Sequence, residues 1–126
     1  MSKQVVSTSS APAAVGPYSQ AIVSNGLVFC SGQIPLDPSS GELTGGTIAE
    51  QTRRCMENLA AVLEAAGTSL ANAVKVTAFL TDMNDFAEFN DAYGEFFGDD
   101  PPARATFAVA ALPKGAEVEV ECIAHT

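Results

Sequence analysis

Pro102-Ala103-Arg104-Ala105-Thr106-Phe107-Ala108-Val109-Ala110-Ala111-Leu112-Pro113-Lys114-Gly115-Ala116-Glu117-Val118-Glu119-Val120-Glu121 is the stretch on which the rest of the chain depends. It reads as two apolar strands, Arg104 to Val109 and Glu117 to Ala124, joined by a Leu-Pro-Lys-Gly turn. One arginine opens the first strand, and three carboxylates recur at period two along the second. Alternate residues of a strand share a face about 6–7 Å apart, so Glu117, Glu119 and Glu121 are expected side by side. Glu119, between two like charges, is the one whose pKa should rise, and a raised carboxyl can shuttle a proton. For Glu117 and Glu121 a solvated strand face is a sufficient account.

Upstream of this pair, Gly98-Asp99-Asp100-Pro101-Pro102 stops a helix of about Asp85 to Phe97. Phe86, Phe89, Asn90, Tyr93 and Phe96 or Phe97 line its inner stripe. A strand over Ala73–Leu80 precedes it. There Val74, Val76, Ala78 and Leu80 are expected on one face and Lys75, Thr77 and Phe79 on the other. Before that strand Thr47 and Glu50 form a capping box. They open a helix that ends at Gly67 and buries Thr52, Cys55, Leu59, Val62, Leu63 and Ala66, with Arg53 and Arg54 on its wet side. Asn25-Gly26 joins strands Tyr18–Ser24 and Leu27–Ser31 as a hairpin, and Val5 to Thr8 is a short further strand. Gly32 to Gly46 is a loop rich in turn residues.

The order is strand pair, helix, strand, helix, strand pair. Right-handed crossovers place both helices on one side of a single sheet. The opposite face should then be wet, yet Phe79 points there and Leu27-Val28-Phe29-Cys30 is apolar on both sides. This mismatch predicts a homo-oligomer in which sheets pack on one another.

The chain has 126 residues, which bounds it to one domain, 1–126. Six basic against fifteen acidic residues give a net charge of −9, so nucleic acid and acidic membranes are poor partners. An anionic small molecule needs a local cation. Cys30, Cys55 and Cys122 fit neither a zinc site nor a Cys-x-x-Cys pair and read as buried free thiols in a reducing compartment. The opening Met-Ser-Lys-Gln-Val-Val has no apolar run for a signal peptide or membrane span, which makes the expected location cytoplasmic. No metal set is expected, and the one histidine, His125, is penultimate and makes no catalytic pair.

Among the remaining polar residues, Arg104 is either a snorkelling arginine or a fork for a carboxylate. Tyr18 is a core aromatic or a pocket residue. Asn90 ties down a loop or serves a site, because a buried amide must be hydrogen-bonded. At Ser31-Gly32 the glycine lets another group approach the backbone.

Taken together, several stretches resemble the RidA (YjgF) family of enamine/imine deaminases. They are Ala11-Pro12-Ala13-Ala14-Val15-Gly16-Pro17-Tyr18-Ser19-Gln20, Ser31-Gly32-Gln33-Ile34-Pro35, Asp85-Phe86 through Asn90, Pro102-Ala103-Arg104, Leu112-Pro113-Lys114-Gly115 and Val118-Glu119-Val120-Glu121. The resemblance implies an α+β, chorismate-mutase-like fold: one mixed sheet with two helices on one face, assembled as a homotrimer around a central barrel. It implies pockets between subunits and hydrolysis of 2-aminoacrylate, 2-iminobutanoate or 2-iminopropanoate to a 2-keto acid and ammonia, with no cofactor. Arg104 would grip the substrate carboxylate and Glu119 would activate water. Tyr18, Ser31, Gly32 and Asn90 would line the pocket. Where many members have a cysteine this chain has Thr106, whose backbone N–H would keep the binding role. A non-catalytic module binding small carboxylates in the same pocket is the alternative, and Glu119 separates the two, since such a binder does better without a carboxylate. An RNA-cleaving activity, also attached to the family, fits poorly with the charge and the missing basic groove.

Overall fold

The computed structural model describes residues 2–126; Met1, where the segment read for a signal peptide begins, lies outside them. The elements in chain order are β1 (Gln4–Val6), β2 (Ala21–Ser24), β3 (Leu27–Gln33), α1 (Ile48–Ala65), β4 (Ala73–Leu80), α2 (Phe86–Gly94), β5 (Ala103–Ala108) and β6 (Val118–His125). They form one mixed six-stranded sheet in the order β1-β2-β3-β6-β4-β5. Every pairing is antiparallel except β4 with β5. Both helices pack on one face, an α+β arrangement.

Local chemistry explains the elements. Asn25 and Gly26 both take positive φ, 52° and 75°, the geometry of a two-residue hairpin turn that matches strand twist. The Thr47 side chain accepts from the Glu50 N–H at 3.1 Å, and Glu50 accepts from the Thr47 N–H at 3.0 Å, closing the expected capping box. Cys55, Met56, Leu59, Val62 and Leu63 of α1 meet Val28, Val76, Ala78, Leu80, Val118 and Val120 of the sheet in one core. All three cysteines are buried and free. Among the described residues no helix is long and apolar enough to cross a membrane.

Four expectations are corrected. The two terminal strands do not pair with each other: β6 inserts between β3 and β4, while β5 lies beyond β4 at the sheet edge. The linker Val109–Glu117 is long enough to step over β4, and a central position buries Val118, Val120, Cys122 and Ala124 under α1. Val74 is exposed rather than inward, because β4 carries one extra residue between Ala73 and Lys75 and the bulge turns Val74 out. Arg54 is half-buried instead of wet: it donates to the buried Asn58 at 2.9 Å, and Asn58 in turn holds the Leu36 carbonyl at 2.9 Å. Glu117 precedes the strand and leaves the carboxylate row; it accepts from Gln51 of α1 at 3.0 Å.

The second sheet face is open in the single chain. Phe29 is 43% exposed and Phe107 53%, so β3 is buried on one side only. That is the apolar, uncovered surface expected from the pattern.

Candidate functional site

Glu119 sits on β6 with its side chain on the open face, level with Phe79 of β4. Its neighbour on the other side is a β-bulge: from Cys30 to Gln33 β3 advances three residues while β6 advances two, from Cys122 to Val120. Gly32 is therefore inside the strand beside Ser31, at the bulge, rather than at the start of the loop expected there. A bulge re-aims side chains and opens the backbone, and here the Glu119 carboxylate lies across Gly32. A Cβ built on Gly32 would stand 2.8 Å from the Glu119 carboxyl carbon and 3.1 Å from its Cγ. Only glycine leaves that seat free.

The Glu119 carboxylate opens into a cleft of about 600 Å³ whose lining includes Tyr18, Ser31, Gly32, Lys114 and Glu121. Burial first, and then the nearby Glu121 charge, raise the Glu119 pKa above the ordinary carboxylate range. Lys114 makes no ion pair with it among the described residues; its ammonium donates to the Gly41 carbonyl at 3.1 Å. The Ser31 hydroxyl is tied to the Ser19 carbonyl at 2.6 Å, so its proton is already committed. The Tyr18 hydroxyl accepts from the Val15 N–H at 3.2 Å, which leaves its own proton free to donate.

Arg104 lies elsewhere. Across the sheet Val76 pairs with both Arg104 and Cys122, and paired residues point the same way. Arg104 and Thr106 are therefore on the helix-covered face, and Glu119 is on the other. The Arg104 guanidinium carbon is 4.9 Å from the Tyr93 ring centroid and 5.6 Å from those of Phe86 and Phe89, an aromatic seat from the inner stripe of α2. Among the described residues the ion pairs are Arg53–Glu95 and Arg54–Glu57, so the guanidinium has no anionic partner. Beside it a shallow depression is lined by Met83, Phe86, Arg104 and Thr106. Asn90 Oδ1 and Thr106 Oγ1 are buried without a hydrogen-bond partner, and so is the Tyr93 hydroxyl. Orphaned polar atoms of this kind call for a missing partner.

The structure thus divides the expected site residues. Tyr18, Ser31, Gly32 and Glu119 share the cleft, while Arg104 and Thr106 share the depression, with Asn90 on the helix above them. Within the single chain, Arg104 and Glu119 line different pockets. Among the described residues no group of three or more His, Cys, Asp or Glu side chains is arranged to hold a metal.

The endoribonuclease L-PSP family model matches residues 8–126. The chain belongs to that family, the RidA family its motifs resemble. A RutC family protein of Pyrococcus horikoshii is 50% identical over 123 residues, covering 98% of each chain. The human 2-iminobutanoate/2-iminopropanoate deaminase is 46% identical over 122 residues, 97% of this chain and 89% of the human protein. The crystal structure of RidA from an Antarctic Psychrobacter superposes with a TM-score of 0.94 at 45% identity, covering 98% of this chain and 99% of that one. The fold is the RidA fold, and at the level of the family its relatives include imine deaminases.

Sequence reasoning missed three contributors. The aromatic seat of Arg104 was read as core, although a strand arginine opposite an aromatic helical stripe was its signal. Asn58 and Gln20 escaped notice because the groups they bond are loop carbonyls, which leave no periodic trace.

Proposed function

We propose that the protein hydrolyses 2-imino acids and their enamine tautomers, 2-iminobutanoate, 2-iminopropanoate and 2-aminoacrylate, to 2-oxo acids and ammonia. The observation that carries this reading is Glu119: a carboxyl with a raised pKa, fixed over Gly32 in an open cleft. A simple binder of carboxylates gains nothing from such a group, whereas a water-activating one needs it.

The sheet-face division supports a site shared between copies of the chain. Arg104 of one copy faces Glu119 of another, in a homotrimer whose packed sheets cover Phe29 and Phe107. Arg104 forks the substrate carboxylate, and the Thr106 backbone N–H adds a second donor. Glu119 takes a proton from water as the oxygen bonds to C2. That proton passes to the imine nitrogen, giving a carbinolamine; Glu119 then carries the carbinolamine's hydroxyl proton to the amine nitrogen, and the C–N bond breaks to release ammonia as the carbonyl forms. Tyr18, Ser31, Gly32 and Asn90 line the space around these groups. Every step is positioning and proton transfer, so the reaction needs no cofactor. Such a reaction suits the cytoplasm, the location expected from the sequence.

The test generates 2-aminoacrylate or 2-iminobutanoate in place with an amino-acid dehydratase and follows 2-oxo acid release with and without the protein. Acceleration is expected. Its absence overturns the deaminase reading.

A further inference from the structure

The segment from Thr8 to Ser19 has no strand of its own between β1 and β2, yet it forms one wall of the Glu119 cleft through Pro12, Ala13, Val15 and Tyr18. A loop wall holds a side chain in register only if its backbone is fastened. One side chain does most of that fastening. Gln20 is 4% exposed. Its Oε1 accepts from the Thr8 N–H at 2.7 Å, and its Nε2 donates to the Thr8 carbonyl at 3.1 Å and the Pro12 carbonyl at 2.8 Å. The amide thus satisfies both the N–H and the C=O of one residue, Thr8, and a second carbonyl, as a neighbouring strand would. Ser31 adds a tether at the Ser19 carbonyl, 2.6 Å away. The segment so held carries Tyr18, which lines the cleft and whose hydroxyl accepts from the Val15 N–H, leaving its own proton free to donate.

We propose that Gln20 is a positioning residue for the site, holding the 8–19 segment so that the Tyr18 hydroxyl faces the ligand. The inference rests on the cleft reading above and goes beyond it in assigning a role to a residue that touches no substrate. Gln20 acts through Tyr18 and not through the stability of the sheet. Removing it therefore costs what misplacing Tyr18 costs, and nothing further once Tyr18 has lost its hydroxyl.

The test is a double-mutant cycle. Gln20→Ala, Val15→Pro and Tyr18→Phe are made singly, and the first two are also combined with Tyr18→Phe. Val15→Pro removes the N–H that orients the tyrosine at an exposed loop position, so it remains informative if Gln20→Ala does not fold. Two readouts are taken on the full chain: kcat in the dehydratase-coupled assay, and the Kd of 2-oxobutanoate by calorimetry. Each single variant is expected to lose about tenfold in kcat, and neither Gln20→Ala nor Val15→Pro adds a further loss in the Tyr18→Phe background. Wild-type rates in Gln20→Ala and Val15→Pro overturn the proposal, as does an equal loss with and without the Tyr18 hydroxyl. If the wild type hydrolyses no imine but binds 2-oxobutanoate with the same coupled pattern, the reaction assignment fails and the role of Gln20 stands. If it neither hydrolyses nor binds, both fail.

Discussion

The two charged residues proposed for the site are held by opposite means. Arg104 stands on the edge strand β5, and apolar packing fixes it: three aromatic rings cradle the guanidinium, and no protein carboxylate meets it. Glu119 stands on the central strand β6, and the backbone fixes it: a bulge and a glycine make its seat, and the cleft around it is built of hydrogen-bonded loops. Aromatic faces hold a cation while leaving its N–H edge free to fork a ligand. A half-buried carboxylate over a glycine keeps both oxygens open and holds its proton more tightly. Each half lacks what the other has. The fold keeps a cation and a carboxylate on opposite faces of one sheet, so they do not quench each other as an internal ion pair. In the proposed assembly they meet only across a subunit boundary, with substrate between them.

The strongest way to break this comparison is complementation. Arg104→Ala alone should lower kcat/KM about a hundredfold, the scale of a lost charged bidentate contact. Glu119→Gln alone should lower kcat by about a hundredfold or more with KM little changed. Oligomers reassembled from a mixture of the two variants should regain activity, because some boundaries then join an intact Arg104 to an intact Glu119. Recovery is measured after co-refolding, against each variant refolded alone. No recovery would place both groups in one chain's pocket and end the two-halves account. Light scattering that returned a monomer mass for the wild type would do the same.

Glu119→Gln sharpens the comparison through stability as well. A carboxyl whose pKa is raised by folding binds its proton more tightly in the native state, so its ionised form weighs against folding above that pKa. The strain is relieved as pH falls through the folded value. Glu119→Gln should therefore melt higher than wild type at neutral pH, with the gap closing in acid. A lower Tm at pH 7 would mean that the carboxylate is stabilised by a contact the cleft does not contain. Gly32→Ala comes next in size. The added methyl meets the Glu119 carboxyl carbon at 2.8 Å, so the side chain must swing out of its seat. A loss of about tenfold in kcat is expected, against no comparable loss for alanine at Gly98, where nothing stands within 4 Å.

How much of this was legible in the sequence differs between the halves. Thr47 with Glu50, Asn25-Gly26 and the α1 stripe announce themselves because capping, hairpin turns and helical burial are local, and local rules write periodic or paired signals. The uncovered face was also legible, since Leu27-Val28-Phe29-Cys30 cannot suit a wet sheet. The position of β6 was not. Its insertion between β3 and β4 is a choice among pairings that a strand-turn-strand pattern leaves open, and only central burial of Val118, Val120 and Cys122 decides it. The extra residues in β3 and β4 were invisible for a related reason: a bulge shifts the phase of an alternation by one, so Val74 looked inward and Gly32 looked like loop. The opposite placement of Arg104 and Glu119 follows from parity through β4, which no single stretch contains. Glu117 left the row because the strand begins one residue later and Gln51 offers it a nearer partner.

The smallest expected effect tests the part of the carboxylate row that remains. Glu121 shares the open face and the cleft with Glu119, and its charge is the second cause, after burial, of the raised Glu119 pKa. If Glu119 activates water, it must be ionised before the water attacks, so the acid limb of the kcat profile reports its pKa in the complex. Glu121→Gln removes one negative neighbour and leaves the burial untouched. Ionisation of Glu119 then becomes easier, and the acid limb should move to lower pH by a fraction of a unit, with the plateau rate kept. Salt should shrink the shift, because the charge of Glu121 is exposed and screened. A limb that does not move would assign the raised pKa to burial alone and return Glu121 to a solvated strand face. A limb that moves upward would mean that Glu121 holds a cation near Glu119, and the two carboxylates would then have to be read as one anionic seat for the substrate nitrogen.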